Sequence, residues 1–168
     1  MHVEVTHPCI RHKLSLLRDR GTGHKMFREL ASEITMFVAY EALKELKTAP
    51  VTIETPLTSM TAETLADDVV VVPVLRAGIG MLDSLLSLVP TARVGFVGLY
   101  RDPRTKAPVE YYCKLPEDMR DAQYVIVDPM LATGGSTAAA IDLIKKTGAT
   151  RVAVVAIVTC PEGLAVIE

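Results

Sequence analysis

The fold is decided by residues 124–136, which read Tyr-Val-Ile-Val-Asp-Pro-Met-Leu-Ala-Thr-Gly-Gly-Ser. The first four form an uninterrupted apolar run, which is typical of a β-strand buried on both faces. The last four, Thr133 to Ser136, lead directly into the helix-like stretch Thr137 to Thr147. A buried strand followed by a tight turn and a helix is the repeating unit of a parallel α/β sheet.

The same pattern extends outward in both directions along the chain. Further strand-like runs and one more helix-like stretch are found at Val69 to Val72, Ile79 to Leu88, Val94 to Leu99 and Val152 to Val158. Strands that alternate with helices predict a β-α-β-α-β arrangement around a mostly parallel sheet. Gly148 fits a cap at the end of the second helix.

The first 65 residues carry a different pattern. From Phe27 onward, apolar residues recur every three to four positions, which predicts an amphipathic helix that ends before Pro50. Residues 52–55 are consistent with a short strand, and the hydroxyl-rich residues 58–63 predict a short turn or helix. We therefore expect an N-terminal helical region at about 7–47 and a core at about 66–168, within a single domain spanning 1–168.

Composition sets the broad class. The 168 residues are 49% hydrophobic and 23% charged, with a formal net charge of −2, which excludes a disordered chain. The apolar runs are far shorter than the roughly 18–20 residues of a membrane span. No secretory signal follows Met1, so a cytoplasmic location is expected. The widely spaced Cys9, Cys113 and Cys160 argue against a disulfide framework or a zinc site.

In open α/β sheets, ligands bind beyond the carboxyl ends of the strands. There the N–H groups and hydroxyls of Thr133 to Ser136, together with the positive end of the following helix, favour a phosphate. Asp128, about one turn away, is placed to accept hydrogen bonds from the hydroxyls of an attached sugar. The alternative is an ordinary tight turn with a capping hydroxyl. The Gly-Lys-Ser/Thr ending of a Walker loop is absent.

Two arginines suggest a second anion site. Arg76 and Arg101 each follow a predicted strand, and cations at that edge would suit a pyrophosphate. The alternative for each is a surface ion pair, with Asp83 or Asp102. The polar segment 101–114 predicts a mobile flap over the site, although most such loops are simply solvated.

These segments resemble the uracil phosphoribosyltransferase family. The likeness rests on 128–136, on Val74-Leu75-Arg76-Ala77-Gly78 and Tyr100-Arg101-Asp102, and on His7-Pro8 and 27–33 near the start. It implies a type I phosphoribosyltransferase-like α/β fold with a central, mostly parallel sheet flanked by helices, N-terminal helices and a flexible hood at 101–114. It also implies transfer of the phosphoribosyl group of 5-phosphoribosyl 1-diphosphate (PRPP) to uracil, giving UMP and pyrophosphate with Mg²⁺.

The resemblance also implies residue roles. Catalysis is expected from Arg76, Arg101 and Asp128, with Mg²⁺ held mainly through the substrate and by no dedicated protein ligands. PRPP binding is expected from Arg76, Arg101, Asp128, Pro129, Met130, Leu131, Ala132, Thr133, Gly134, Gly135 and Ser136. A homodimer or higher oligomer and activation by GTP are further expectations.

One departure from the family concerns the base. Its members continue into a Gly-rich C-terminal segment that contacts uracil, and no such segment precedes Glu168. We therefore expect a truncated chain with uracil contacts unassigned and apolar surface near its end. Two rival functions stay open: a non-catalytic, RNA-binding nucleotide sensor, supported by the basic stretch Arg11 to Arg28, and transfer to another base, against which 128–136 speaks. Nucleic acid is the less favoured partner because the whole chain is not basic.

Overall fold

Short valine-rich runs and the helices between them build an α/β fold in the computed structural model, which describes residues 1–105 and 107–168. Lys106, inside the predicted hood, lies outside the described residues. The helices are α1 (Pro8–Arg18), α2 (His24–Ala42), α3 (Ile79–Leu88), α4 (Gly135–Lys145) and α5 (Pro161–Ile167). The strands are β1 (Thr48–Glu54), β2 (Ser59–Leu65), β3 (Val69–Leu75), β4 (Arg93–Val94), β5 (Phe96–Arg101), β6 (Pro108–Lys114), β7 (Gln123–Val127), β8 (Met130–Leu131), β9 (Arg151–Val155) and β10 (Val158–Thr159).

The central sheet has the strand order β6-β5-β3-β7-β9, and β4 also pairs with β3. Strands β3, β5, β7 and β9 run parallel, while β6 is antiparallel to β5 at one edge. Helix α4 packs on one face of the sheet through Ala140 and Ile144. Helices α2 and α3 cover the other face through Ala39, Met81 and Leu85. The predicted fold class is confirmed.

The central strands are buried on both faces, which explains their continuous apolar runs. All residues from Val69 to Val74 and from Tyr124 to Val127 are buried. The run predicted as one strand over 94–99 is divided by Gly95, and the run over 152–158 is divided after Val155. The helix predicted from Thr137 begins two residues earlier and ends at Lys145, and the N–H of Gly148 bonds to the carbonyl of Lys145 just beyond it.

Residues 48–65 form an antiparallel hairpin, and here the prediction of a turn or helix at 58–63 is wrong. Strand β2 covers those residues and pairs with β1 from Thr48↔Leu65 to Glu54↔Ser59. The reversal is made at 55–58, where the Thr55 hydroxyl accepts the N–H of Thr58 at 3.1 Å. Pro50 lies inside β1, which is tolerated because each strand of a two-stranded ribbon is an edge. Along the chain, the hairpin therefore connects the N-terminal helices to the core strands.

Helix α2 confirms the amphipathic pattern, with Leu30, Ile34, Thr35 and Ala39 buried. It ends at Ala42, before the last periodic apolar residue, Leu46. Among the described residues, no helix combines the length and apolar character required to cross a membrane.

Candidate active site

Asp128 stands at the carboxyl end of β7, where the sheet places it next to the start of α4. Its Oδ1 atom lies 3.5 Å from the N–H nitrogen of Met130, and its Oδ2 lies 3.5 Å from the hydroxyl of Thr137. Burial raises the pKa of Asp128, while these two hydrogen bonds and the charge of Arg101 oppose that rise. The carboxylate is thus half-buried but surrounded by donors, which suits an acceptor for sugar hydroxyls.

The loop from Thr133 to Ser136 opens helix α4 in the way an anion site requires. Gly134 caps the helix with a φ of +75°, a conformation that other residues rarely adopt. The first N–H groups of a helix lack intrahelical acceptors and carry the positive end of the helix dipole. Thr133 is exposed beside them and Ser136 is half-buried. The predicted phosphate loop therefore lies directly at the start of a helix, and its role in binding phosphate stays a prediction.

Residues 129–132 connect Asp128 to this loop and are fixed to the chain that follows β9. The carbonyl of Pro129 accepts the N–H groups of Ile157 and Val158, at 3.2 and 3.1 Å. Strand β8, which consists of Met130 and Leu131, pairs with β10. Leu131 is buried, Ala132 half-buried and Met130 exposed. This part of the segment contributes mainly backbone to the site.

Arg101 reaches across the carboxyl edge of the sheet to the phosphate loop. Its Nη2 donates to the hydroxyl of Thr133 at 2.5 Å. Arg101 ends β5 and Thr133 precedes α4, so this contact joins the carboxyl end of β5 to the start of α4. Arg101 and the loop before α4, which the sequence analysis singled out separately, are therefore in direct contact.

Arg76 is the first residue after β3 and is exposed at the same edge of the sheet. Neither Arg76 nor Arg101 forms an ion pair within residues 1–105 and 107–168, so the alternative pairings with Asp83 or Asp102 are not formed there. Asp102 instead accepts the N–H groups of Arg104 and Thr105, both at 2.8 Å, and these bonds lower its pKa. Both arginines are left available for an anion.

The predicted flap is largely a β-hairpin rather than a loop. Strands β5 and β6 pair from Phe96↔Lys114 to Arg101↔Pro108. The turn between them carries the Asp102 contacts described above, and the rings of Tyr100 and Tyr111, on the two paired strands, lie 6.4 Å apart. The hood is therefore an extension of the sheet edge that includes Arg101, and its mobility stays a prediction.

Two residues near the site were missed by sequence reasoning. Thr137, whose hydroxyl faces Asp128, is the residue directly after Ser136, so a third hydroxyl at a helix start was the available signal. Gly163, in α5, packs under the loop: a Cβ there would lie 2.6 Å from the carbonyl oxygen of Ala132. Nothing in the sequence near Gly163 indicates that contact, which depends on the path of the chain after β9.

A cavity of about 520 Å³ lies between the N-terminal residues, the end of α2, the edge strand β9 and α5, and its lining also includes Leu131. Its apolar lining includes Val152, Val154 and Ile167. Apolar surface near the end of the chain is thus present, as expected from the sequence. The described residues contain no cluster of three or more His, Cys, Asp or Glu able to hold a metal ion.

Comparison with known proteins extends over nearly the whole chain. The family model for uracil phosphoribosyltransferase matches residues 4–168. The uracil phosphoribosyltransferase of Clostridioides difficile (strain 630) is 52% identical over 167 residues, which are 99% of this chain and 80% of that protein. The enzyme of the same name from Symbiobacterium thermophilum is 49% identical, with the same coverage.

Solved structures agree with the sequence comparisons. The AQ2163 protein from Aquifex aeolicus superimposes with a TM-score of 0.92 at 37% identity, over 98% of this chain and 79% of that one. A purine phosphoribosyltransferase from Pyrococcus horikoshii matches with a TM-score of 0.57 at 20% identity, over 79% of this chain and 74% of that one. The second similarity shows a shared fold.

Proposed function

The chain belongs to the uracil phosphoribosyltransferase family, and from that membership we propose that it transfers the phosphoribosyl group of PRPP to uracil, releasing UMP and pyrophosphate. The observation that supports this most directly is the meeting of two arginines, a carboxylate and a helix-opening glycine loop at one sheet edge. PRPP has a phosphate at one end, a ribose in the middle and a pyrophosphate at the other end. The glycine loop suits the phosphate, the carboxylate suits the ribose hydroxyls, and the two arginines suit the pyrophosphate.

Different residues of the site would bind different parts of PRPP. Thr133, Gly134, Gly135 and Ser136 would bind the 5-phosphate through N–H groups and hydroxyls. Asp128 would accept hydrogen bonds from the ribose hydroxyls. Arg76 and Arg101 would bind the pyrophosphate. The contact between Arg101 and Thr133 supports this division, because residues that bind opposite ends of one PRPP molecule have to lie close together.

The chemistry needs charge stabilisation rather than a covalent nucleophile. The bond between ribose C1 and a pyrophosphate oxygen breaks, its electron pair leaves with the pyrophosphate, and positive character develops on the sugar. Uracil N1 then bonds to C1 and loses its proton. Fixed cations at Arg76 and Arg101 stabilise the charge that grows on the leaving group, which is where such groups lower the barrier most.

Mg²⁺ would enter this site bound to PRPP. The ion prefers oxygen ligands, keeps several waters and commonly binds through substrate phosphates. The two arginines already give the pocket positive charge, so the ion would be held chiefly by the oxygens of PRPP. When bound, it adds further charge stabilisation to the pyrophosphate.

The hood would exclude water during transfer, because water competes with uracil for C1. Its position supports this role, since β5 carries both Arg101 and the start of the hairpin turn. Activation by GTP and a cytoplasmic location, which the resemblance and the sequence imply, remain expectations. The first of these is tested by adding GTP to the assay described below.

Self-association is supported by two exposed apolar surfaces. In the β1–β2 hairpin, Val51, Ile53 and Met60 lie on one face, while Thr52 and Thr61 lie on the other. All five side chains are exposed. An isolated two-stranded hairpin is at best marginally stable in water, so we expect this hairpin to be stabilised by contact with another surface. An amphipathic ribbon of this kind needs a surface against its apolar face.

The second surface is the outer face of α2. It exposes Met26, Met36, Phe37 and Tyr40. Covering these exposed apolar side chains removes their surface from water, which favours association. A second copy of this chain is the partner we propose.

The RNA-sensor alternative draws no support from the structure of the basic stretch. Within it, Lys13 pairs with Glu33 at 2.6 Å and Lys25 pairs with Glu29 at 3.8 Å. Both acidic partners come from α2, so part of the positive charge is balanced inside the helical region. The remaining cations lie on exposed positions, as on an ordinary solvated surface.

The test is direct conversion of uracil and PRPP to UMP by the 168-residue chain with Mg²⁺, followed by chromatography. We expect UMP, and we expect adenine, guanine and hypoxanthine to give no nucleotide. A folded sample that forms no UMP would overturn the proposal. Nucleotide formed from a purine instead of uracil would replace it with a different base specificity.

A further inference from the structure

Thr137 lies in the first turn of α4, one residue beyond the segment expected to contact PRPP. Only 2% of this residue is exposed. A buried hydroxyl is costly unless it has a hydrogen-bond partner, and the acceptor in front of this one is Oδ2 of Asp128, 3.5 Å away. On the other side of the carboxyl group, the N–H of Met130 faces Oδ1. Asp128 is thus contacted at both oxygens.

We propose that Thr137 is a positioning residue, which fixes the orientation of the Asp128 carboxylate so that its outward lone pairs can receive the ribose hydroxyls. This rests on the proposed function, in which Asp128 contacts the ribose. A distance of 3.5 Å is long for a hydroxyl donor, but hydrogen bonds at catalytic sites are often long without ligand and tighten in the substrate complex. The short reach of a threonine side chain on a packed helix leaves the hydroxyl little choice of direction.

The electrostatics of the carboxylate give this geometry a measurable consequence. Burial raises the pKa of Asp128, and the N–H of Met130, the Thr137 hydroxyl and the Arg101 charge each lower it. Arg101, on β5, is the charged side chain that acts on Asp128 from another element. Removing the hydroxyl takes away one group that favours the ionised form. The carboxylate would then become protonated at a higher pH, and a protonated carboxyl donates one hydrogen bond instead of only accepting them.

The direct test is a pH titration of the Asp128 side-chain carboxyl carbon by ¹³C NMR in the full chain. Thr137→Val, which replaces the hydroxyl with a methyl group, should titrate at a higher pH than the unmodified chain. Thr137→Ser, which keeps the hydroxyl, should titrate close to the unmodified chain. Thr137→Ala provides a second variant without the hydroxyl, in case valine disturbs folding, and should shift in the same direction.

The matched control is Thr35→Val. Thr35 is also a buried helical threonine, and its hydroxyl donates to the carbonyl of Ala31 at 2.7 Å, in α2 and away from the site. This variant changes the same atoms in a helix but should leave the Asp128 titration unchanged. A merely structural role for Thr137 would likewise leave that titration unchanged.

Activity provides an independent readout. For UMP formation, Thr137→Val should lower kcat/KM for PRPP roughly tenfold, as expected for loss of a hydrogen bond to a charged group. Its acidic limb in the pH–rate profile should move to higher pH, and Thr137→Ser should restore both. An unshifted Asp128 titration in Thr137→Val and Thr137→Ala overturns the positioning role. A shifted titration in a chain that forms no UMP overturns the proposed function and leaves the contact between Thr137 and Asp128 standing.

Discussion

Arg76 and Arg101 are the two cations that we propose bind the pyrophosphate. Both are exposed next to neighbouring strands, and in the described parts of the chain neither is neutralised by a carboxylate. An unpaired arginine fork is a geometric match for phosphate oxygens. The proposed reaction uses these cations on a group whose negative charge increases as the bond breaks.

Arg76→Ala should therefore lower kcat for UMP formation by two or more orders of magnitude. Loss of one transition-state donor elsewhere costs about 10²-fold to 10³-fold. The measurement is the turnover rate at saturating PRPP and Mg²⁺. Arg93→Ala is the control. Arg93 is exposed on β4 beside the start of β3, whereas Arg76 follows the end of β3. Turnover near that of the unmodified chain in Arg76→Ala would remove Arg76 from the chemistry.

Tyr124 presents a different residue-scale question, because its ring is fully buried in the core under α4. In the described residues its hydroxyl has no hydrogen-bond partner. A buried polar group without a partner costs about 1–3 kcal/mol. Tyr124→Phe should therefore raise the free energy of unfolding by about 1 kcal/mol, measured by urea denaturation. Tyr112→Phe, at an exposed position of the hood, should change it little, and a less stable Tyr124→Phe chain would mean that the hydroxyl is bonded to buried water.

Single residues also mark the limit of what the sequence could predict. Asp128 and Thr133 to Ser136 were identifiable because strand, turn and helix start are contiguous in the chain. The contact between Arg101 and Thr133 joins residues 32 positions apart, and the contact between Thr137 and Asp128 depends on how the helix is rotated over the strand end. Such contacts follow from packing of the whole sheet, which no local pattern encodes.

At the scale of elements, α5 supports the phosphate loop from below. Besides its approach to Ala132, a Cβ on Gly163 would lie 2.9 Å from the carbonyl oxygen of Leu131, and Gly134 itself lies against the Gly163 carbonyl. Backbone atoms cannot move away as a flexible side chain can. A methyl group at Gly163 must displace either α5 or the loop.

Gly163→Ala should accordingly raise KM for PRPP more than it lowers kcat, since it shifts the 5-phosphate loop and leaves Arg76 in place. Kinetics with varied PRPP give the two constants separately. Gly23→Ala is the control because a Cβ at Gly23 meets nothing within 4 Å. Unchanged KM in Gly163→Ala would show that α5 adjusts without moving the loop.

A second link between elements joins β9 to the chain before β3. Arg151 donates to both carboxylate oxygens of Asp67, at 2.8 and 2.9 Å, and Asp67 also accepts the N–H of Lys47 at 2.9 Å. The Arg151 hydrogen bonds, followed by the Lys47 N–H, lower the pKa of Asp67 from its ordinary 3.8 to about 2. A carboxylate whose pKa is lower in the folded chain stabilises the fold above its ordinary pKa, and that contribution is lost as the pH falls toward 2.

Acidification from pH 5 to pH 2.5 should consequently destabilise the unmodified chain more than Asp67→Asn. Urea midpoints at several pH values measure the difference. Asp68→Asn, at the exposed neighbouring position, should lose as much stability on acidification as the unmodified chain. Parallel losses in Asp67→Asn and the unmodified chain would contradict a stabilising role for the ion pair.

The hairpin at 48–65 shows why a local pattern can predict the wrong element. The buried strands and α2 have strong periodicity because a core fixes which positions are apolar. In the hairpin, Thr52, Thr61 and Ser59 are hydroxyl residues that suit turns and caps as well as strands. The register becomes clear only when both strands are seen together.

At the scale of the whole molecule, the outer surface carries exposed apolar side chains in two places. The central sheet is covered by helices on both faces, yet the hairpin keeps its apolar face exposed and α2 exposes a row of large apolar side chains. Contiguous apolar surface of several hundred Å² on a single chain usually marks an interaction site. The proposed partner is a second copy, because both surfaces belong to every copy and can be covered reciprocally in a symmetric pair.

Sedimentation velocity should therefore show the unmodified chain as a dimer or larger species at micromolar concentration. Met60→Glu places a charge on the apolar face of the hairpin and should shift the population toward monomer. Thr61→Glu is the matched control, since it adds the same charge to the adjacent residue on the polar face and should leave association intact. A monomeric unmodified chain would overturn the proposal, and equal dissociation by both variants would place the interface elsewhere. Loss of association in Met60→Glu alone would identify the apolar face of the hairpin as part of the interface, because only the direction of the added charge separates the two variants.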